Sequence, residues 1–201
     1  MNSNPIGITF TELMSGGFSL GETDTATGAA KGTNNILVMH GTVTIDDIDK
    51  FIADPNHLGR LDVVMDWPPF GRGLFAPRGI FNLFSPSGDP ALKLMVYEWG
   101  LQHEGKDYYF AGQKNVQVHP VLEIWNDTTT LHTQLHQGKD KTTPIVGAGI
   151  ISLSFEELLK MGKNFKPLNA PSIEAGVAAI AKFGKFFMGQ LWETYIERVG
   201  A

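Results

Sequence analysis

The sequence predicts a mainly β fold: one β-barrel or sandwich, with short helices at its corners and one long amphipathic helix at the C-terminus. Three observations predict it. The 23 glycines and 11 prolines are spread along the whole chain of 201 residues rather than gathered into linkers. Between them stand short runs of alternating or continuous β-branched and aromatic residues, the pattern of strands bounded by turns. The final segment repeats its apolar residues at helical spacing over several turns. Residues 1–170 are therefore read as a β-rich domain, and residues 171–201 as a helix packed on it.

The elements follow in order. Ile8–Met14 is a first strand, and Glu22–Asn35, rich in Gly, Ala and Thr, reads as a long mobile loop. Asn35–Ile45 is a strong strand. Asp46–Ile52 is a short helix capped by an early aspartate and ended near Asp54-Pro55. Leu58–Trp67 is a strand, followed by a Pro/Gly loop, Pro68–Arg78, with three exposable hydrophobes. Gly79–Phe84 and Leu92–Trp99 are strands. Glu104-Gly105-Lys106-Asp107 is a hairpin turn into the strand Tyr108–Val118. Val121–Gln137 is a long strand or bent pair, and Ile145–Leu153 another strand. Ser154–Met161 is a short helix opened by Ser154 and Glu157 in the spacing of a capping box. Lys166–Pro171 is a linker. The segments Val38–Ile52 and Val146–Leu159 each read as strand, polar cap and short helix, which suggests a pseudo-duplicated barrel.

In the closing helix, from about Ser172 to Arg198, Ile173, Val177, Ile180, Phe187, Leu191 and Tyr195 form one apolar stripe. Phe183, Phe186 and Trp192 widen it, and Lys182, Lys185, Gln190, Glu193 and Arg198 take the other side. Ser172 is the N-cap, with Glu174 in the first turn. Gly176, Gly184 and Gly189 each weaken the helix by roughly 1 kcal/mol relative to Ala, so they read as places where another backbone packs close. Lys182 and Lys185 in mid-stretch argue against a membrane span. Docking on the protein's own domain is favoured over a membrane-surface role.

Composition excludes several classes. The net charge is −5, from 16 basic and 21 acidic residues, and no basic cluster stands out, so nucleic acid is not an expected partner. The absence of cysteine removes disulfides, thiolate metal sites and cysteine nucleophiles, and fits the cytoplasm. Met1–Gly7 lacks the basic and apolar regions of a signal peptide.

No catalytic or nucleotide-binding motif is present, so catalytic residues are not assigned and no cofactor is expected. In Asp127–His136, strand alternation puts Thr128, Thr130, His132, Gln134 and His136 on one face, toward solvent or a wet cavity. His132 and His136 would lie roughly 13 Å apart on a strand, too far to share a metal, so none is expected. His40, His57, His103 and His119 are scattered, and Asp46, Asp47 and Asp49 read as a cap and solvated first turn rather than a calcium loop. Glu12, Asp62, Asp66, Arg60, Arg72 and Arg78 stand as isolated charges in a β context; a carboxylate buried in a barrel can act as acid or base. The positive hint is aromatic. Phe70, Phe75, Phe81, Tyr97, Trp99, Trp125, Phe187 and Trp192 are the candidate walls of an apolar ligand site, with residues 68–78 as its lip.

Six ordered motifs carry a resemblance. They are Phe10-Thr11-Glu12-Leu13-Met14-Ser15-Gly16; Phe51–Pro55 with His57 and Gly59; Gly79–Phe84; Gly112 with Lys114; Trp125–Leu131; and Phe183-Gly184-Lys185-Phe186-Phe187-Met188-Gly189-Gln190-Leu191-Trp192-Glu193-Thr194-Tyr195. Together they span nearly the whole chain. The set resembles an accessory domain attached to bacterial glucose–methanol–choline-type, cholesterol-oxidase-like flavoproteins. Nothing here matches the flavin-binding part, so the resemblance implies association with such enzymes and not their redox activity. The leading expectation is a non-catalytic binder of a lipid- or sterol-like molecule, or of a partner flavoprotein oxidoreductase. The alternatives are a cyclase or isomerase without a recognisable motif, enclosing an apolar substrate, and a membrane-active protein using the last helix.

Overall fold

A computed structural model describes residues 4–117 and 128–192, except for the side chains of Gln117 and Trp192. Eight strands form an antiparallel meander: β1 (Gly7–Leu20), β2 (Ile36–Ile45), β3 (Leu58–Trp67), β4 (Gly71–Pro86), β5 (Leu92–His103), β6 (Lys106–Gln117), β7 (Thr130–His136) and β8 (Ile145–Ser152). Each pairs with the next, and β1 pairs with both β2 and β8, so the sheet closes into a barrel. Closure removes the exposed edges that an open sheet must otherwise protect. The helices are α1 (Thr25–Lys31), α2 (Ile48–Ala53), α3 (Phe155–Lys163) and α4 (Ile173–Trp192).

Alternation decides what enters the barrel. β1 turns Ile8, Phe10, Glu12, Met14 and Phe18 inward, β5 turns in Met95, Tyr97, Trp99 and Leu101, and β6 turns in Phe110, Lys114 and Val116; all are buried. On β7, Leu131, Thr133 and Leu135 point in, while Thr130, His132 and Gln134 face outward. Of that run's expected polar face, Thr130, His132 and Gln134 are thus on the outer face of the barrel, whereas Thr128 lines the cavity described below and His136 is buried. The aromatic core is densest at the end where β3 finishes. There Trp99 stacks on Phe110 at 4.9 Å, and Trp67 meets Phe18 edge-on at 5.1 Å.

The seam between β1 and β8 is incomplete. β8 pairs with β1 only from Ser15 to Leu20. Beyond Ser152 the chain leaves through α3, whose N-cap Ser154 accepts from the Glu157 amide at 3.2 Å. It returns as a short strand, β9 (Lys166–Leu168), on the Gly7–Thr9 stretch of β1. Asn164 just past α3 donates to the Thr11 hydroxyl on β1 at 3.3 Å. At the level of Phe10–Met14 the wall is therefore closed by a helix rather than a strand.

Several expectations need correction. Residues 22–35 are not a loop but α1 followed by a 3-10 turn, Gly32–Asn34. Asp24 caps α1, and Gly28 lies so close to the sheet that a Cβ there would sit 2.0 Å from the Ala148 carbonyl oxygen. Those glycines mark contact, not mobility. Residues 71–78 belong to β4. The Pro/Gly composition there serves a twisted, irregular strand, with left-handed Gly73 and Arg78 and register shifts against β3. The 166–171 linker contains β9. The two strand-to-helix corners end β2 and β8, which flank β1 on either side; repeated halves of an eight-strand meander would place them four strands apart. The barrel is not duplicated in that way. Residues 118–127 lie outside those described, so of Val121–Gln137 only β7 can be compared, and His119 and Trp125 have no position here.

Ser172 caps α4 as expected, accepting from the Ala175 amide. Its buried face differs. Ile173 and Val177 are 83% and 61% exposed, and the inward line runs through Gly176, Ala179 and Phe183, joined by Ile180, Phe187 and Leu191. Gly176 sits against Pro167 of β9, and this fixes the rotation of the helix. Among the described residues Gly184 and Gly189 meet nothing within 4 Å and are not close-packing sites. Residues 193–198 of the expected helix, Tyr195 included, lie outside those described.

Candidate functional site

A cavity of about 720 Å³ occupies the end of the barrel beneath α3 and α4. Strands supply one wall through Phe10, Phe81, Leu83 and Met95, with Leu153 just past β8; helices supply the other through Leu158, Met161, Ile180, Phe183, Phe187 and Leu191. A cluster of rings binds α4 to the barrel. Phe183 lies 5.9 Å from Phe10, 5.4 Å from Phe165 and 6.2 Å from Phe51, and Phe187 lies 5.4 Å from Phe84. Phe84 reaches inward beside Leu83 because a bulge between Asn82 and Ser85, with Phe84 at φ 53°, breaks the alternation of β4. His57 supports the same corner: its ring contacts Phe186 at 4.7 Å, and its Nδ1 bonds the Leu83 carbonyl at 2.6 Å.

The depth of the cavity can be read along the strands. On β1, Phe10 and Glu12 line it but Met14 does not; on β5, Met95 and Tyr97 line it but Trp99 does not; on β6, Lys114 lines it but Phe110 does not. Glu12, Tyr97 and Lys114 are thus its innermost ring, with the packed aromatic core directly behind them. In a closed barrel of eight strands β1 and β5 face each other. The Tyr97 hydroxyl donates to Glu12 across the full lumen, 3.1 Å from Oε1 and 3.2 Å from Oε2. Lys114 Nζ donates to the Tyr97 oxygen at 3.4 Å and lies 4.7 Å from its ring centre. The order of donation runs from ammonium to phenol to carboxylate. All three side chains are buried.

Burial governs their proton affinities. It pushes the Glu12 carboxyl up, opposed by the Lys114 charge and the Tyr97 hydrogen bond. It pushes the Lys114 ammonium down, opposed by Glu12. The carboxyl and the amine are therefore drawn toward each other in affinity. Tyr97 is pushed well up by burial first and by Glu12 second, so it stays a phenol and acts as a donor.

A second depression, of about 660 Å³, lies outside the barrel between α2, the end of β2, the start of β3 and the middle of β4. Its carboxylates are already in use: Asp47 caps α2, Asp54 accepts from the Asn56 amide, and Asp46 pairs with Arg60. Among the described residues no three His, Cys, Asp or Glu side chains converge as metal ligands, and no helix is long and apolar enough to cross a membrane.

Of the residues singled out from the sequence, Phe81, Tyr97 and Phe187 line the cavity. Trp99 stands behind it in the packed core, Phe70 stacks on His103 at the opposite end, and Phe75 is 63% exposed on the outer face. Residues 68–73 are at the far end of the barrel and 74–78 run back along β3; none of them lines the cavity, so they form no lip. Trp125 and the side chain of Trp192 lie outside the described residues. In the sequence Glu12 stands among several isolated charges and in the first motif, and Lys114 only in a motif, so neither is singled out as a site residue. Their signal was available: each occupies an inward position of a strand whose other inward residues are apolar. A comparison with family models, with curated proteins and with solved structures finds no match to this chain.

Proposed function

We propose that the barrel binds one small apolar molecule carrying an uncharged polar end, with its apolar body under α4 and its polar end at Glu12, Tyr97 and Lys114. The observation that carries this reading is the hollow end of the barrel, whose described walls are apolar apart from Thr128 and Thr129, with Glu12, Tyr97 and Lys114 at its floor. An eight-stranded barrel is wide enough to hold a single small ligand. The floor selects the head group by charge. Lys114 is already compensated by Glu12, so a ligand carboxylate would bring a second negative charge into a low-dielectric space with one cation. A ketone, alcohol, ester or epoxide oxygen accepts from Tyr97 or Lys114 without that cost.

The partner-oxidoreductase reading rests on the sequence resemblance alone, and the cytoplasm on the cysteine-free composition alone. A membrane role for α4 is less favoured, because Phe183, Phe186 and Phe187 are spent on the barrel. Titration with Nile red, an apolar fluorophore, tests the proposal. Saturable one-to-one binding is expected, displaced by long-chain ketones and alcohols more strongly than by carboxylic acids of equal length. Gly184→Trp fills the open space at the cavity wall and is expected to abolish binding while the circular dichroism is kept. Absence of saturable binding, or indifference to Gly184→Trp, rejects it.

A further inference from the structure

The geometry points to more than retention: we propose that Glu12, Tyr97 and Lys114 form a proton-transfer site that isomerises an apolar ketone by moving a proton from one carbon to another. This rests on the binding reading above and adds chemistry to it. Holding a neutral oxygen needs one donor. The floor instead has a donor and a base side by side, with a cation behind the donor, in a space walled by Phe10, Phe81, Leu83 and Met95. In an apolar site such preorganised charges act more strongly than in water and need little reorganisation.

In the resting protein the Tyr97 proton points at Glu12. A ketone oxygen entering the floor takes that hydrogen bond instead, which leaves the Glu12 carboxylate without its Tyr97 partner and facing the carbon next to the carbonyl. Glu12 takes the proton from that carbon. The C–H pair becomes a C=C bond, and the carbonyl π pair moves to oxygen, where the Tyr97 hydroxyl and the Lys114 charge hold it. When the enolate collapses, the Glu12 carboxylic acid returns the same proton to the γ-carbon of a β,γ-unsaturated substrate. The product is the conjugated isomer. No electrons are gained or lost, and no co-reactant is consumed. Glu12 and Tyr97 are the catalytic residues, and Lys114 is the positioning residue that holds the phenol and its developing negative charge.

The full chain is assayed with 5-androstene-3,17-dione, a β,γ-unsaturated ketone with an apolar body, following the ultraviolet absorbance of the conjugated product. Parallel reactions in D2O are read by mass spectrometry. The ketone is expected to displace Nile red and to isomerise faster than in buffer. Glu12→Gln is expected to lose about 100-fold or more in kcat, the scale of a removed general base and a larger factor than any weakening of Nile red binding in the same variant. Tyr97→Phe is expected to lower kcat more than it raises KM. The rise of kcat/KM with pH that tracks ionisation of Glu12 should vanish in Glu12→Gln. Displacement without isomerisation, or equal rates in wild type and Glu12→Gln, overturns the proposal. Reduction with borohydride that fixes the ketone onto Lys114 also overturns it, because the amine would then be a nucleophile. A ketone that fails to displace bound Nile red overturns it at the substrate class. Loss of saturable Nile red binding rejects the pocket itself.

Discussion

The two ends of one barrel are built by the same strands with the same alternation, yet one is solid and the other hollow. At the solid end Phe18, Trp67, Trp99 and Phe110 fill the lumen ring against ring. At the hollow end the β1–β8 seam stops at Ser15 and Ser152, and helices stand in for the missing wall. Strands spaced by hydrogen bonds bring facing side chains into contact, whereas helices laid across a barrel mouth sit farther out and leave volume. Between the ends runs the Glu12–Tyr97–Lys114 bridge. Stability should therefore be concentrated on one side of that bridge and binding on the other.

The largest effect should come from the solid end. Trp99→Ala is expected to cost about 3–5 kcal/mol in urea unfolding, because its stacked partner Phe110 and the closed barrel around it cannot collapse into the space. Phe187→Ala removes a ring that already borders open volume, and is expected to cost less than about 2 kcal/mol. Equal costs would mean that the cavity is not a cavity in solution.

The bridge itself should respond to pH. Lys114→Met leaves a buried carboxylate without its cation, a loss of about 3 kcal/mol at neutral pH. The attraction that restrained Glu12 is then gone, so its carboxyl rises further above the ordinary 4.5. A carboxyl raised in the folded state contributes stability that is complete below 4.5 and lost as pH climbs through its folded value. The deficit of Lys114→Met relative to wild type should thus shrink as pH falls toward 4.5. It should show no such slope when Glu12→Gln is added. A deficit that stays constant with pH would show that Glu12 is not the group left exposed to the loss.

How much of this contrast the sequence revealed depends on the physics behind each signal. Strand alternation is local and strong, so β2, β3 and β5 and the inward set Met95, Tyr97 and Trp99 were legible. Helix caps are equally local: Asp47, Ser154 and Ser172 all cap as their spacing suggested. Glycine was the misleading residue. Gly28 and Gly32 looked like mobility and are tight contacts, while Gly184 and Gly189 looked like tight contacts and face open space. A glycine records that no side chain is tolerated or that none is needed, and only the tertiary neighbour tells which. The bridge was hidden for a related reason. Glu12 and Lys114 are 102 positions apart, and only barrel closure, which sets β1 opposite β5 and β6, makes them one site.

The smallest predicted effects give the finest test, because they use one substitution in one helix with opposite signs. Gly184 has no described residue within 4 Å of where a Cβ would stand, so Gly184→Ala gains helix propensity without a clash and should stabilise by about 0.5–1 kcal/mol. At Gly176 a Cβ would sit 2.8 Å from Pro167 Cγ and 3.1 Å from its Cβ. The rigid ring cannot swing aside, so relief requires β9 to move off β1, where Gly7 pairs with Leu168 and Thr9 with Lys166. Gly176→Ala should therefore lose about 1 kcal/mol net, strain outweighing the same gain in propensity. Chemical denaturation of the two variants side by side decides it. Opposite signs place a tight joint at the start of α4 and a loose one over the cavity, the arrangement by which a helix stays anchored while its far half covers a ligand. A shift of both in the same direction would mean that α4 is uniformly packed or uniformly free, and the hollow end would lose the cover on which its function depends.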